Sequence, residues 1–126
     1  MIARRTPIIL LALGASAAML SGCTSGGDAD FCGPLFDDTQ TAATTFSPLI
    51  AGMNTEGDVQ ARLALVEELE PPTPELADDL KAWEGYLTVA VDAIGDDPTA
   101  LMTAYDDEVK ASGEALFEYY TGTCMQ

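Results

Sequence analysis

Apolar side chains recur at alternating intervals of four and three residues along most of the chain after residue 31. That spacing places them on one face of an α-helix, and no segment keeps the strict alternation of a half-buried strand. One such run lies between Thr73-Pro74 and Gly95, and its members are Leu76, Leu80, Trp83, Leu87, Ala90 and Ile94. The pattern therefore predicts an all-α fold.

Capping and turn residues divide the chain into four predicted helices. Thr73-Pro74 and Asp97-Pro98 combine a polar cap with a first-turn proline, whereas Pro71-Pro72 and Gly95 are stop signals. Pro48 is expected to kink the first helix or to restart it, because proline cannot donate to the preceding turn. The four predicted helices span residues 32–53, 58–69, 74–95 and 98–120. Four helices with short connections favour an antiparallel four-helix bundle.

The same spacing predicts the buried face of each helix. In the first helix this face consists of Cys32, Phe36, Thr39, Ala43, Phe46, Ile50 and Met53. In the second helix it consists of Val59, Leu63 and Val66. In the last helix it consists of Met102, Tyr105, Val109, Leu116 and Tyr120.

A groove is expected beside the second helix, unless the kinked first helix fills it. The second helix, at about 18 Å, is shorter than the third, at about 31 Å, so the bundle is uneven. Trp83 and Tyr86 are the candidate lining residues of a ligand groove, since aromatic side chains commonly line ligand pockets. The alternative is that aromatic residues at helical spacing simply belong to the core.

The sequence contains no recognisable catalytic constellation. It has no histidine, which Ser-His-Asp triads and most zinc sites require. Asp96 and Asp97 follow a glycine in a turn and are the best candidates for a cation site, although such pairs more often cap helices. We therefore expect no catalytic residue and no cofactor, and a chain that is not an enzyme.

The N-terminal segment has the parts of a signal peptide. The Arg4-Arg5 pair precedes an uncharged run over residues 8–20, which is shorter than the roughly 20 apolar residues of a membrane-spanning helix. The pair leaves both general and twin-arginine export open. The run ends in Leu20-Ser21-Gly22-Cys23, which resembles the lipobox of bacterial lipoproteins.

The lipobox resemblance implies that residues 1–22 are removed and that Cys23 carries fatty acyl chains such as palmitate. Two or more acyl chains hold a protein durably on a bilayer, so we expect a lipid anchor on the extracytoplasmic face of the cell membrane. Residues 24–30 are small and polar, and residues 23–30 are accordingly expected to form the lipidated cysteine and a flexible tether. Residues 31–126 then form a single helical domain.

Lipidation of Cys23 leaves Cys32 and Cys124 as an even pair in an oxidising compartment. We therefore expect one disulfide between them. An antiparallel bundle supports this pairing independently, because it brings the start of its first helix beside the end of its fourth helix.

The mature chain is expected to be strongly acidic. Removal of residues 1–22 leaves three basic residues against 21 acidic ones, a side-chain charge of −18. Nucleic acid is excluded as a partner because its phosphates carry the same sign of charge. Arg62, Lys81 and Lys110 each have an acidic residue at helical spacing, which predicts surface ion pairs.

Beyond the lipobox, the chain is similar to the small helical lipoproteins of unknown function found in high-GC Gram-positive bacteria. The similarity rests on the signal segment, the acidic composition and the terminal cysteine pair. It implies a location at the cell surface and a helical fold. As its function we expect contacts with a protein partner. The alternative is a lipoprotein that binds a small ligand or a cation.

Overall fold

The computed structural model describes the backbone of residues 26–126 and the side chains of residues 28–126. The predicted signal peptide and Leu20-Ser21-Gly22-Cys23 lie outside the described residues. Six α-helices follow one another: α1 Gly26–Asp37, α2 Thr39–Ala42, α3 Glu56–Glu67, α4 Pro74–Asp96, α5 Pro98–Ala104 and α6 Asp107–Tyr119. A π-helical turn, Tyr120–Cys124, ends the chain. Residues 26–126 contain no strand, only an isolated bridge between Ala51 and Asn54, which confirms the all-α fold.

Helix α4 is the centre of the fold, and the sequence predicted it well. Thr73 caps it by accepting a hydrogen bond from the backbone N–H of Leu76, and Pro74 occupies the first turn. All six predicted core residues are buried, and α4 packs against α3, α5 and α6. Within residues 26–126, no helix combines the length and apolar character that crossing a membrane requires.

Helices α4 and α6 run in opposite directions. Just before α6, the ring of Tyr105 packs at a tilt against that of Tyr86, and further along Ser112 Oγ donates to Asp79 Oδ1 at 3.0 Å. Later residues of α6 therefore contact earlier residues of α4, which makes the two helices antiparallel. Gly113 lies at the crossing, where it allows the ring of Trp83 to approach the α6 backbone closely.

The prediction of one long first helix is wrong, because the chain leaves helical structure well before Pro48. Asp38 interrupts the helix by accepting from the backbone N–H of Thr41, and α2 then lasts only one turn. The hydroxyls of Thr44 and Thr45 donate to the carbonyl of Thr41. Such side chains compete with the backbone for its hydrogen bonds, and the helix ends among them.

The predicted buried face of this first segment is also largely wrong. Phe31 and Leu35 are fully buried, whereas Phe36, Ile50 and Met53 are exposed. The true face is shifted by one residue, because Phe31 stacks on Phe46 and packs edge-on against Tyr119. A helical face through Phe31 and Leu35 has the same spacing as the predicted one, and only these partners distinguish the two.

The described part of the predicted tether is helical. Residues 26–30 form the first turn of α1, so the prediction of a flexible tether over residues 23–30 does not hold for them. The reason lies in tertiary contacts, since the hydroxyl of Tyr119 donates to the Asp28 carboxylate and the backbone N–H of Glu70 donates to the carbonyl of Asp30. Pro34 consequently lies inside the helix rather than in its first turn.

The predicted fourth helix is divided in two. Asp97 caps α5 as expected, accepting from the backbone N–H of Ala100, but α5 ends at Ala104. Asp106 then caps α6 by accepting from the backbone N–H of Val109 at 2.9 Å. The break turns the ring of Tyr105 towards Trp83, and it exposes Met102, which was predicted to be buried.

The predicted disulfide between Cys32 and Cys124 is confirmed. It joins α1 to the π-helical turn, with the two Cα atoms 5.3 Å apart. Both cysteines are buried, as is Tyr120, which packs against Phe46. The disulfide therefore belongs to the core cluster rather than lying on its surface.

Candidate functional site

An apolar groove lies between the segment after Pro48, the middle of α4, and α5. Its volume is about 450 Å³, and its lining residues are Leu49, Ile50, Ala51, Tyr86, Pro98, Leu101, Met102 and Tyr105. We call it the apolar groove. Asp97, whose backbone is not helical, separates α5 from α4, and side chains of both helices line the groove together with residues 49–51.

Tyr86 is the best-positioned polar group of the apolar groove. Its hydroxyl oxygen accepts a hydrogen bond of 3.1 Å from the backbone N–H of Leu49, which fixes the ring against this segment. Burial raises the pKa of Tyr86, so the phenol stays protonated at neutral pH. Tyr86 thus lines the apolar groove, whereas the sequence placed it in a groove beside the short second helix.

Trp83 belongs to the core instead. Its ring is fully buried, and its Nε1–H donates to the carbonyl of Thr45 at 2.9 Å. The ring packs against both Tyr86 and Tyr105, and it does not line the apolar groove. Trp83 therefore supports the wall of the groove from behind, which differs from its predicted role as a lining residue.

The rim of the apolar groove is unusually apolar for a solvent-facing surface. Ile50 is 52% exposed and Met102 is 76% exposed, and both line the groove. The sequence pattern assigned both to the core, because spacing alone identifies apolar positions without showing what covers them. A cluster of exposed apolar side chains at a concave surface is typical of a binding site.

Two other aromatic residues outside the main predicted core faces lie elsewhere. Tyr119 packs against Phe31 and donates to Asp28, so it secures α1. Phe117 is 46% exposed and lines a separate shallow cavity with Phe46 and Lys110. Neither contributes to the apolar groove.

The predicted cation pair serves as a helix cap. Oδ1 of Asp97 accepts from the backbone N–H of Ala100, and Asp96 is exposed at the end of α4. Within the described residues, no three acidic or cysteine side chains converge in a way that would hold a metal ion.

A second cavity lies beside α3, the short helix where a groove was predicted. Its volume is about 380 Å³, and its lining residues are Gln40, Thr41, Thr44, Asn54, Asp58, Ala61 and Arg62. We call it the polar pocket. Trp83 and Tyr86 do not line it. The polar pocket beside the short helix and the apolar groove are therefore two separate cavities.

Arg62 departs from its predicted surface role. It is only 6% exposed, and its Nη1 donates to the carbonyl of Ser47 at 3.1 Å. Burial lowers its pKa, although an arginine remains charged at neutral pH. Asp58, its predicted ion-pair partner, instead completes a capping box with Thr55 at the start of α3.

The comparisons with known proteins assign no family to the chain. No protein-family model matches it, and no similar curated protein or solved structure is found. A functional interpretation therefore depends on the two cavities and on the N-terminal lipobox resemblance.

Proposed function

We propose that this chain is a lipid-anchored, non-enzymatic protein of the extracytoplasmic membrane face that acts through protein contacts at the apolar groove. The observation that carries the proposal is the pair of exposed apolar side chains, Ile50 and Met102, on the rim of a concave surface. Methionine suits such a surface because its side chain adapts to different partners. The lipobox resemblance of residues 20–23 supports the anchor.

The proposed arrangement is an uneven antiparallel bundle with its disulfide end towards the membrane. In support, α1 is the described helix nearest to Cys23 in sequence and is joined by the disulfide to the C-terminal turn. Leu76, at the start of α4, lies near Tyr119 at this same end. The apolar groove is reached from the second half of α4, and it would therefore face away from the bilayer.

The proposed occupant of the apolar groove is a basic segment of a cell-surface protein that presents an apolar anchor residue. The apolar rim favours the anchor, while the side-chain charge of −18 on the mature chain attracts a basic partner. Such attraction raises the association rate and weakens as salt is added. Salt-dependent association is thus a property that this proposal requires.

A photo-crosslinking experiment tests the partner. We expect p-benzoylphenylalanine in place of Met102 to capture one protein in intact cells, and the same group in place of Phe36 to capture none. Phe36 is 54% exposed on α1, outside the apolar groove, and is a matched control. With the purified partner, Met102→Asp should weaken binding at least 10-fold and Phe36→Asp should not. Equal effects at both positions would contradict the proposal.

The second candidate function is binding of a small apolar ligand in the same groove. It is favoured by Tyr86, whose phenolic hydrogen has no acceptor among the described residues and is free to donate to a ligand. The crosslinking experiment separates the two functions. A small molecule attached at position 102, with no protein captured, would favour the ligand and overturn the protein partner.

The anchor itself makes a separate prediction. We expect Cys23→Ala to move the protein out of the membrane fraction or to leave it unprocessed, because no thiol remains to carry the acyl chains. Ser25→Ala, which leaves the lipobox intact, should have no effect. Detergent-phase partitioning followed by immunoblotting measures both. Unchanged partitioning of the Cys23→Ala protein at its processed size would rule out the lipid anchor.

A further inference from the structure

Arg62 is the only basic side chain that residues 28–126 bury, and it faces the polar pocket. A buried guanidinium normally has its donors satisfied, because desolvating an unpaired charge is costly. Here the only hydrogen bond to protein is from Nη1 to the Ser47 carbonyl. One donor therefore fixes the side chain while most of its hydrogen-bonding capacity remains unused.

The remaining nitrogens of Arg62 are accessible to solvent. No buried side-chain nitrogen or oxygen in the described part of the chain lacks a hydrogen-bond partner. Since Nε and Nη2 donate to no described residue, they must retain contact with solvent, and Arg62 lines the polar pocket. A planar guanidinium fixed in this way is suited to two parallel hydrogen bonds with a carboxylate.

Asp58 supplies a charge of opposite sign in the same pocket. Its Oδ2 accepts from the Thr55 backbone, which lowers the pKa of the carboxyl and keeps it ionised. In the described part of the chain no direct ion-pair contact joins Asp58 to Arg62, although the two charges attract each other through space. The two opposite charges thus line one cavity without neutralising each other by contact.

The rest of the polar pocket offers neutral hydrogen-bonding groups. The side chain of Gln40 makes no hydrogen bond to described residues, and the hydroxyl of Thr41 lies beside the Asp38 carboxyl. Asn54 uses its Oδ1 to accept from the Ile50 backbone at 2.8 Å, which leaves its Nδ2 hydrogens for another acceptor. A polar lining with one fixed cation and one fixed anion selects a small, dipolar ligand rather than an apolar one.

We propose that the polar pocket binds a small zwitterion of the free amino acid class, with its carboxylate on Arg62 and its ammonium group facing Asp58. A zwitterion has no net charge, so the acidic surface of the protein does not repel it as it repels a simple anion. A volume of about 380 Å³ accommodates a molecule of this size. The inference is independent of the proposed protein contacts, because it concerns a different cavity and different residues.

Ligand-detected NMR on the full mature protein in detergent micelles tests this proposal. The probes are the individual standard amino acids, each at up to 10 mM, and two derivatives of any amino acid that binds. The N-acetyl derivative lacks the ammonium group and the carboxamide derivative lacks the carboxylate. We expect at least one amino acid to bind saturably, and both of its derivatives to bind at least 10-fold more weakly.

Two conservative variants locate the site. We expect Asp58→Asn, which retains an oxygen to cap Thr55, to weaken binding of the amino acid at least 10-fold without restoring binding of its derivatives. Arg62→Lys, which keeps the charge but loses the planar fork, should weaken it similarly. Lys110→Gln, on α6 away from the polar pocket, is the control and should leave affinity unchanged.

Three results would overturn the zwitterion site. The first is the absence of saturable binding by any amino acid to the wild-type protein, which needs no variant and is unaffected by misfolding. The second is equal binding of the parent compound and its two derivatives. The third is unchanged affinity in a folded Asp58→Asn protein. None of these results bears on the apolar groove, so the two proposals fail or stand separately.

Discussion

Loss of the Cys32–Cys124 disulfide is expected to lower the free energy of unfolding by about 4–5 kcal/mol. The bond closes a loop with a sequence separation of 92, and an unfolded chain without this constraint has much more conformational entropy. For a domain of this size, the loss corresponds to a fall in melting temperature of about 20–30 °C. Because a domain of about 100 residues has a stability of only about 5–15 kcal/mol, the reduced protein should be close to unfolding at 37 °C.

Urea denaturation of a Cys32→Ser, Cys124→Ser double variant measures this effect. Both the variant and its reference should carry Cys23→Ser, so that no third thiol exchanges with the disulfide. We also expect the dependence of the unfolding free energy on urea to become steeper, since the unconstrained denatured chain exposes more surface. A loss below about 1 kcal/mol would show that core packing, rather than the covalent link, holds α1 in place.

Gly113→Ala is expected to lower the free energy of unfolding by about 1 kcal/mol, the difference between the cost of overpacking and the gain in helix propensity. A Cβ atom at this position would lie 2.5 Å from Cζ3 of Trp83, well inside van der Waals contact. The ring has no room to withdraw, because it is fully buried and its Nε1–H is bonded to the carbonyl of Thr45. Overpacking of this kind costs about 1–3 kcal/mol, which exceeds the helix-propensity gain of about 1 kcal/mol.

Gly85→Ala is the matched control and should act in the opposite direction. Gly85 lies inside α4, is exposed, and has no atom within 4 Å of the position of an added Cβ. Only the helix-propensity term then applies, so the free energy of unfolding should rise by about 0.5–1 kcal/mol. Thermal unfolding followed by Trp83 fluorescence reports on both variants. A stabilising Gly113→Ala would mean that α4 and α6 separate easily.

The sequence predicted those parts of the fold that depend on local chemistry. The caps at Thr73 and Asp97 are confirmed, because a side-chain oxygen bonding the third following N–H involves only neighbouring residues. The core face of α4 is confirmed because the helix is long enough for its period to be unambiguous. The Cys32–Cys124 pairing is confirmed because, once Cys23 was assigned to lipid, one pairing remained.

The prediction failed where a local pattern had two solutions. Helix α1 has two neighbouring faces with the same spacing, one through Phe31 and Leu35 and one through Cys32 and Phe36. The face through Phe31 is the buried one, because Phe31 contacts Phe46 and Tyr119 from distant parts of the chain. The break before α6 did have a local signal, since Asp106 precedes the acidic residues Asp107 and Glu108 of a first turn. The continuous apolar spacing on either side of Asp106 outweighs that signal and predicts one unbroken helix.

The sequence predicted only one feature of each of the two cavities. It identified Tyr86 as a groove residue and expected a space beside the short helix, and these turn out to be separate places. Arg62 was assigned to the surface because Asp58 stands four residues before it. In the structure Arg62 is buried instead. Because α2 ends early, the Ser47 carbonyl lies where the Arg62 guanidinium can donate to it. No spacing rule contains that information.

The sequence by itself determined that the described chain is helical, where its central helix begins and which cysteines pair. The helices follow from backbone hydrogen bonding and apolar periodicity, which depend on residues close together in the sequence. The cysteine pairing follows because only two thiols remain once Cys23 is assigned to the lipid. Only the tertiary structure decided which face of α1 is buried, where the chain opens the apolar groove, and that Arg62 and Asp58 share the polar pocket. Those outcomes depend on packing between segments distant in sequence, where helical spacing identifies apolar positions but not their partners.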